Sequence, residues 1–75
     1  MPNLPQVSGK KAVRAFERAG FSVVRTRGSH HIMKKPGFRH RLSIPVHGNE
    51  DVGEGLLRSQ IELAGLTVEQ FIDLL

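Results

Sequence analysis

The chain has 75 residues and a mass of 8.3 kDa, so we expect residues 1–75 to form one small domain. It contains no cysteine, which excludes disulfides, thiolate zinc sites and a cysteine nucleophile. Residues 1–49 hold ten of the eleven Lys and Arg residues but only one acid, whereas residues 50–75 hold six acids and one base, a division that predicts a polyanionic partner for the first part.

Residues 1–7, which include Pro2 and Pro5, are predicted to be irregular. A helix is predicted over residues 9–19, with Ser8 as its N-cap and Gly20 as its stop. Its apolar stripe consists of Ala12, Val13, Phe16 and Ala19. The basic residues of this helix occupy the opposite, solvated side.

Three strands should follow, over residues 21–26, 30–35 and about 39–46. Tight turns are expected at residues 27–29 and at 36–37, where glycines stand. In the third strand Leu42, Ile44 and Val46 alternate with Arg39, Arg41 and Ser43. This alternation predicts a sheet with one buried face and one wet, cationic face.

Two helices should end the chain, one over about residues 55–64 and a short one opened by Thr67, with Gln70 placed for a capping box. The order α-β-β-β-α-α predicts an α+β, two-layer domain with a three-stranded antiparallel sheet. This is the architecture of the double-stranded RNA-binding fold. The last helix has an apolar stripe that either packs into the core or, if the protein is purely a partner-binding subunit, docks onto another chain. The stripe consists of Val68, Phe71, Ile72 and Leu75.

All four histidines, His30, His31, His40 and His47, lie within residues 30–47, the most basic part of the chain. Histidine transfers protons in either direction near neutral pH, and arginine and lysine stabilise a phosphorane, so this set favours RNA cleavage through the 2′-hydroxyl. Alternation places His30 and His31 on opposite faces of their strand. If Met33 is buried, His31 points inward and His30 faces solvent, which favours His30.

A zinc site is the competing hypothesis for these imidazoles. Residues 28–49 contain no Asp, Glu or Cys to complete a ligand set, and the positive charge around them opposes a dication. We therefore expect no metal and no cofactor. Gly28 fits a phosphate approaching the backbone and fits a hairpin turn equally well.

These residues make the chain resemble the HicA-type toxins, also described as YcfA-like mRNA interferases, over nearly its whole length. The motifs that carry the resemblance are Ser8-Gly9-Lys10, Gly20-Phe21, Arg27-Gly28-Ser29-His30-His31, Pro45-Val46-His47-Gly48, Leu57-Arg58-Ser59 and Ala64-Gly65-Leu66. The resemblance implies a ribosome-independent mRNA endoribonuclease with a double-stranded-RNA-binding-like fold, and a HicB-type antitoxin that covers the active site. No apolar run approaches the length of a membrane span and the N-terminus lacks a signal-peptide core, so the sequence predicts a cytoplasmic protein with no membrane partner.

The family's catalytic histidine maps onto His30, and His31 remains a second candidate. His47 matches a recurrent Pro-x-His element and is interpreted as a phosphate contact or a second proton-transfer group. The predicted RNA-binding residues are Lys10, Arg25, Arg27, Gly28, Ser29, Lys34, Arg39, Arg41 and His47.

The resemblance fails at two points. Glu50, Asp51 and Glu54 stand near the start of the following helix, where the double-stranded RNA-binding fold uses lysines to grip phosphates, so the usual duplex-binding mode is in doubt. Leu56 replaces a threonine that the family often has. The alternative function is a non-catalytic RNA- or DNA-binding module that uses the same basic sheet face.

Overall fold

A computed structural model describes residues 3–75, so the first two residues of the predicted irregular segment lie outside the described part. The elements are α1 (Gly9–Arg18), β1 (Ser22–Arg27), β2 (His30–Lys34), β3 (Leu42–Pro45), α2 (Glu54–Leu63) and α3 (Val68–Asp73). The predicted α+β order is confirmed, with boundaries that differ by about one residue except at β3. Among these residues no helix is long and apolar enough to cross a bilayer.

The sheet is antiparallel with strand order β1-β2-β3, and the helices cover one of its faces. Met33, Leu42 and Ile44 point into the core and are fully buried. They meet Phe16 from α1 and Phe71 from α3, whose rings pack 5.1 Å apart. The stripe on α3 therefore packs into the core through Phe71, while none of the helices within residues 3–75 covers the opposite face of the sheet.

A β-bulge interrupts β1 between Val23 and Arg25. Val23 pairs with Met33, whose side chain is in the core, so regular alternation would put Arg25 and Arg27 on the core side as well. The extra residue at Val24 shifts the register by one, so that Arg25 pairs with Ile32 and Arg27 with His30. Both arginines thereby lie on the face that the helices leave open.

The predicted third strand over residues 39–46 is too long at its start, because β3 begins at Leu42. Arg39 and Arg41 therefore lie in the connection between β2 and β3 rather than on a strand. The cause is Phe38, whose ring lies 5.6 Å from that of Phe21 and under the Lys35 ammonium at 4.6 Å. Packing against the helical layer takes the chain away from the sheet until Leu42 pairs with Met33.

The start of α1 lies directly against the end of β3. Ser8 caps the helix by accepting from the Lys11 N–H, and the next residue, Gly9, faces the backbone of Pro45 and Val46. A Cβ at Gly9 would overlap the Pro45 carbonyl oxygen and would come within 2.9 Å of the Val46 Cα. Only glycine allows this approach, which fixes α1 beside the segment that leads to His47.

We expect Gly9→Ala to lower the free energy of unfolding by about 1–3 kcal/mol, because backbone atoms cannot move aside as a flexible side chain could. Urea unfolding followed by circular dichroism measures the change. Gly55→Ala is the matched control, since a Cβ there meets nothing within 4 Å and alanine is the better helix former. Equal stability of the two variants would contradict the close packing of α1 on β3.

Candidate nucleic-acid interface and histidine site

The open face of the sheet, defined here by Arg25, Arg27, His30, Ile32 and Ser43, is the candidate interface. Burial of Met33 places His30 on this face, as the alternation required. His30 has Arg27 as its neighbour on one side and Pro45 on the other. Ile32 is half-buried between Arg25 and Ser43, so an apolar centre is bordered by cations and hydroxyls.

The His30 ring is held by a hydroxyl group from the neighbouring strand. Its Nδ1 lies 3.0 Å from Ser43 Oγ, a hydrogen bond between diagonal cross-strand positions. His30 is exposed, and its other ring nitrogen, Nε2, is free to meet a ligand. The ring can therefore give or take a proton at Nε2 while Nδ1 stays bound to protein.

A second imidazole–hydroxyl pair lies at the same end of the sheet. Ser29 Oγ and His47 Nε2 are 3.1 Å apart, and the Val46 N–H donates to the Ser29 carbonyl at 2.8 Å. Ser29 follows Gly28, whose φ of +58° opens the two-residue turn from β1 to β2 in the manner of a type II′ hairpin. The turn thus connects the two pairs, since Ser29 and His30 are consecutive in the chain.

The other two histidines lie elsewhere. His31 points into the core side between Thr26 and Ile44, and its Nδ1 is buried without a hydrogen-bond partner. His40 is exposed in the connection between β2 and β3. Among residues 3–75 no three His, Cys, Asp or Glu residues are close enough together to hold a metal ion.

The Lys and Arg side chains of residues 3–49 form no ion pair with an acidic residue of the described part of the chain. In the part of the chain that the structure describes, the only ion pair joins Arg58 to Glu54 at 3.6 Å, within α2. Lys34 extends the open face at the far end of β2, and Arg39 and Arg41 lie beyond it in the connection to β3. Lys10 lies apart from these residues, on the first turn of α1.

A separate cationic groove lies on α1. It has a volume of about 430 Å³ and contains Lys11, Arg14 and Arg18 between residues 5–7 and Leu75. Arg18 has a structural contact, because its Nη1 donates a hydrogen bond to the Leu74 carbonyl oxygen. This helix packs its apolar side toward the sheet, so the groove faces away from the open face.

Sequence reasoning missed Gln60 of α2. It is the one buried polar side chain in the described part of the chain, with 7% of its surface exposed, and its Oε1 accepts the Ser43 N–H at 2.9 Å. The signal was present, because Gln60 shares a helix face with Leu57, Ile61 and Ala64. A polar residue in an apolar stripe predicts a specific hydrogen-bond partner.

Comparison with known proteins gives one family. The family model described as HicA toxin of bacterial toxin–antitoxin matches residues 9–66, a range that runs from α1 through α2 and includes every sheet residue described above. A search of curated proteins found no match.

We expect the double variant Arg25→Gln/Arg27→Gln to bind single-stranded RNA more weakly, since it removes two unpaired cations from the open face. If each contacts a phosphate, the slope of log K against log salt should fall by about 1.4 in magnitude. Fluorescence anisotropy with a labelled oligoribonucleotide at several salt concentrations measures both quantities.

The matched control is Lys11→Gln/Arg14→Gln, which removes the same charge from α1. If the two double variants lose the same affinity and slope, net charge rather than the open face governs binding.

Proposed function

Because this chain belongs to the HicA family of toxins, we propose that it is an mRNA endoribonuclease that cleaves single-stranded RNA by histidine acid–base chemistry on the open face of its sheet. The observation that supports this most directly is the His30 ring. It is exposed on a face with unneutralised cations, is fixed at Nδ1 by Ser43, and is free at Nε2.

The proposed reaction is an internal transfer at phosphorus. His30 Nε2 takes the proton of a ribose 2′-hydroxyl, and the 2′-oxygen forms a bond to the adjacent phosphorus. The bond from phosphorus to the 5′-oxygen breaks, and that oxygen receives a proton. The products are a 2′,3′-cyclic phosphate and a 5′-hydroxyl, and the step consumes no other reactant.

Arg27 is the cross-strand neighbour of His30, so its guanidinium is suited to the charge that develops on the phosphorane oxygens. His47, at the same end of the sheet, is the proposed proton donor or phosphate contact. The roles of His30 and His47 need only imidazoles and cations, so the proposed chemistry requires no metal.

We assign the general-base role to His30 rather than to His31 because the two side chains lie on opposite faces of the sheet. His31 lies on the core side with its Nδ1 buried, where an RNA strand on the open face does not meet it. Its proposed role is structural.

We propose single-stranded rather than duplex RNA as the substrate because negative charge lies near the start of α2. Glu50, Asp51 and Glu54 are all exposed around the start of this helix, and its N-cap, Gly53, offers no side-chain hydrogen bond. These carboxylates repel phosphates at the place where the double-stranded RNA-binding fold grips a duplex.

The family membership implies an antitoxin partner. We propose that this partner is a HicB-type protein that covers the open face, and that the toxin acts on mRNA in the cytoplasm. A cover over His30 would block cleavage and would also neutralise the cations that the fold leaves unpaired.

We expect the wild-type protein to cleave a long single-stranded RNA in EDTA and His30→Ala to cleave it about 10²–10⁴-fold more slowly, as loss of a general acid–base group does. Denaturing gels measure the rate, and end analysis should find 2′,3′-cyclic phosphates. His40→Ala is the matched control and should retain the wild-type rate, because His40 lies in the connection between β2 and β3.

Equal cleavage by wild type and His30→Ala would contradict the role of His30. Intact RNA with salt-sensitive binding by both proteins would instead support the non-catalytic RNA-binding module. Cleavage that stops in EDTA and returns with added Mg²⁺ would contradict metal-independent chemistry.

A further inference from the structure

We propose that Gln60 and Ser43 are positioning residues for His30, which rests on the nuclease function proposed above. They form a chain of contacts from α2 to the open face: Gln60 Oε1 to the Ser43 N–H at 2.9 Å, and Ser43 Oγ to His30 Nδ1 at 3.0 Å. Ser43 lies on the open face, but its hydroxyl contacts the His30 ring, and Gln60 lies beneath the sheet in α2, so neither is proposed to contact the reacting atoms. Their effect on the reaction passes through the His30 ring.

The first contact fixes the strand. Ser43 lies opposite Ile32, and its N–H points away from β2, so the sheet itself does not satisfy this donor. Among the strands that the structure describes, β3 lies at the edge of the sheet, and the Gln60 side chain bonds its backbone as a further strand would. Since Gln60 is a buried residue of α2, this contact fixes the position of the Ser43 backbone relative to the helical layer.

The second contact fixes the ring. A surface histidine rotates about its side-chain bonds, and the hydroxyl of Ser43 restricts that rotation by binding Nδ1. When Ser43 Oγ accepts from Nδ1–H, Nε2 carries the lone pair that a general base needs. Because the hydroxyl of Ser43 can accept from Nδ1–H or donate to Nδ1, this contact restricts the orientation of the His30 ring in either neutral tautomer.

A buried glutamine at position 60 is not explained by apolar packing alone. Leu57 and Ile61, its neighbours on the same helix face, are buried apolar residues, and a third apolar residue would fill the site without leaving a polar group to satisfy. A buried amide needs a partner to offset its desolvation, and Gln60 finds it on the strand that carries Ser43. The polar residue is thus used to hold one particular backbone position.

Kinetics with a short fluorogenic oligoribonucleotide test the proposal. We expect Ser43→Ala to lower kcat about 10- to 100-fold with KM within about twofold, because a displaced base affects the chemical step and not RNA binding. Ser43→Thr keeps the hydroxyl and should retain most of the activity. Gln60→Met keeps the length of the side chain without the acceptor, and kcat should fall in the same direction.

The matched control is Gln70→Met. The Gln70 Oε1 also accepts a backbone N–H, that of Thr67, but in the capping box of α3 and away from the sheet. Gln70→Met should lose stability without a loss of kcat measured well below its melting temperature. If it loses kcat as much as Gln60→Met does, the effect of Gln60 is a general loss of stability and the proposal is wrong.

Nitrogen-15 NMR of the His30 side chain supplies a readout that needs no RNA. We expect the relaxation of the ring nitrogens to show an ordered His30 ring in the wild-type protein and a more mobile ring in Ser43→Ala. Equal ring mobility in both proteins would overturn the proposal even if His30 proves essential for cleavage. A more mobile ring in Ser43→Ala, with cleavage unaffected by His30→Ala, would instead overturn the nuclease function of His30.

Discussion

The pairing of β2 with β3 is the constraint on which the rest of the structure depends. Met33 opposite Leu42, and His31 opposite Ile44, put one set of alternate residues against the helices. Because the side-chain period of a strand is two, burial of Met33 and Ile44 requires His30 and Ser43 to face the other way. A slip of one residue would bury His30 and expose Met33, so the free energy of core packing is also what presents the imidazole to solvent.

The same pairing explains why so small a protein leaves one face of its sheet open. Helices α1, α2 and α3 all cover one side of the sheet, where the large side chains Phe16, Phe71 and Leu57 gather. The opposite side needs no cover, since its residues are charged, hydroxylic or half-buried. The core thus lies on one side of the sheet and the candidate site on the other. The close approach of Gly9 to β3 joins the helical layer to the sheet next to His47.

Much of this was open to prediction from sequence. Alternation at Leu42, Ile44 and Val46, the glycine at the first turn and the stripe on α3 are local patterns, and local patterns gave the correct element order. The outward placement of His30 followed from Met33 for the same reason. The division of charge along the chain also indicated a polyanion, although it did not show where the cations lie in space.

The features that could not be predicted from the sequence depend on contacts between residues that are distant in the chain. The start of β3 is set by Phe38 packing on Phe21, which no period within residues 39–46 reveals. The partner of Gln60 is a backbone group 17 positions away, and its identity required the structure. The bulge at Val24 could not be predicted either, because the alternation of residues 21–26 does not indicate which face of the sheet Arg25 and Arg27 occupy.

That bulge has a further consequence, for the behaviour of the protein among its own copies. β1 is an edge strand, and a straight, regular edge is a template on which another chain can add a strand and begin an aggregate. The extra residue at Val24 bends this edge and breaks its hydrogen-bond spacing, while Arg25 and Arg27 place like charges along it. The irregularity that turns two arginines toward the open face therefore also discourages edge-to-edge polymerisation.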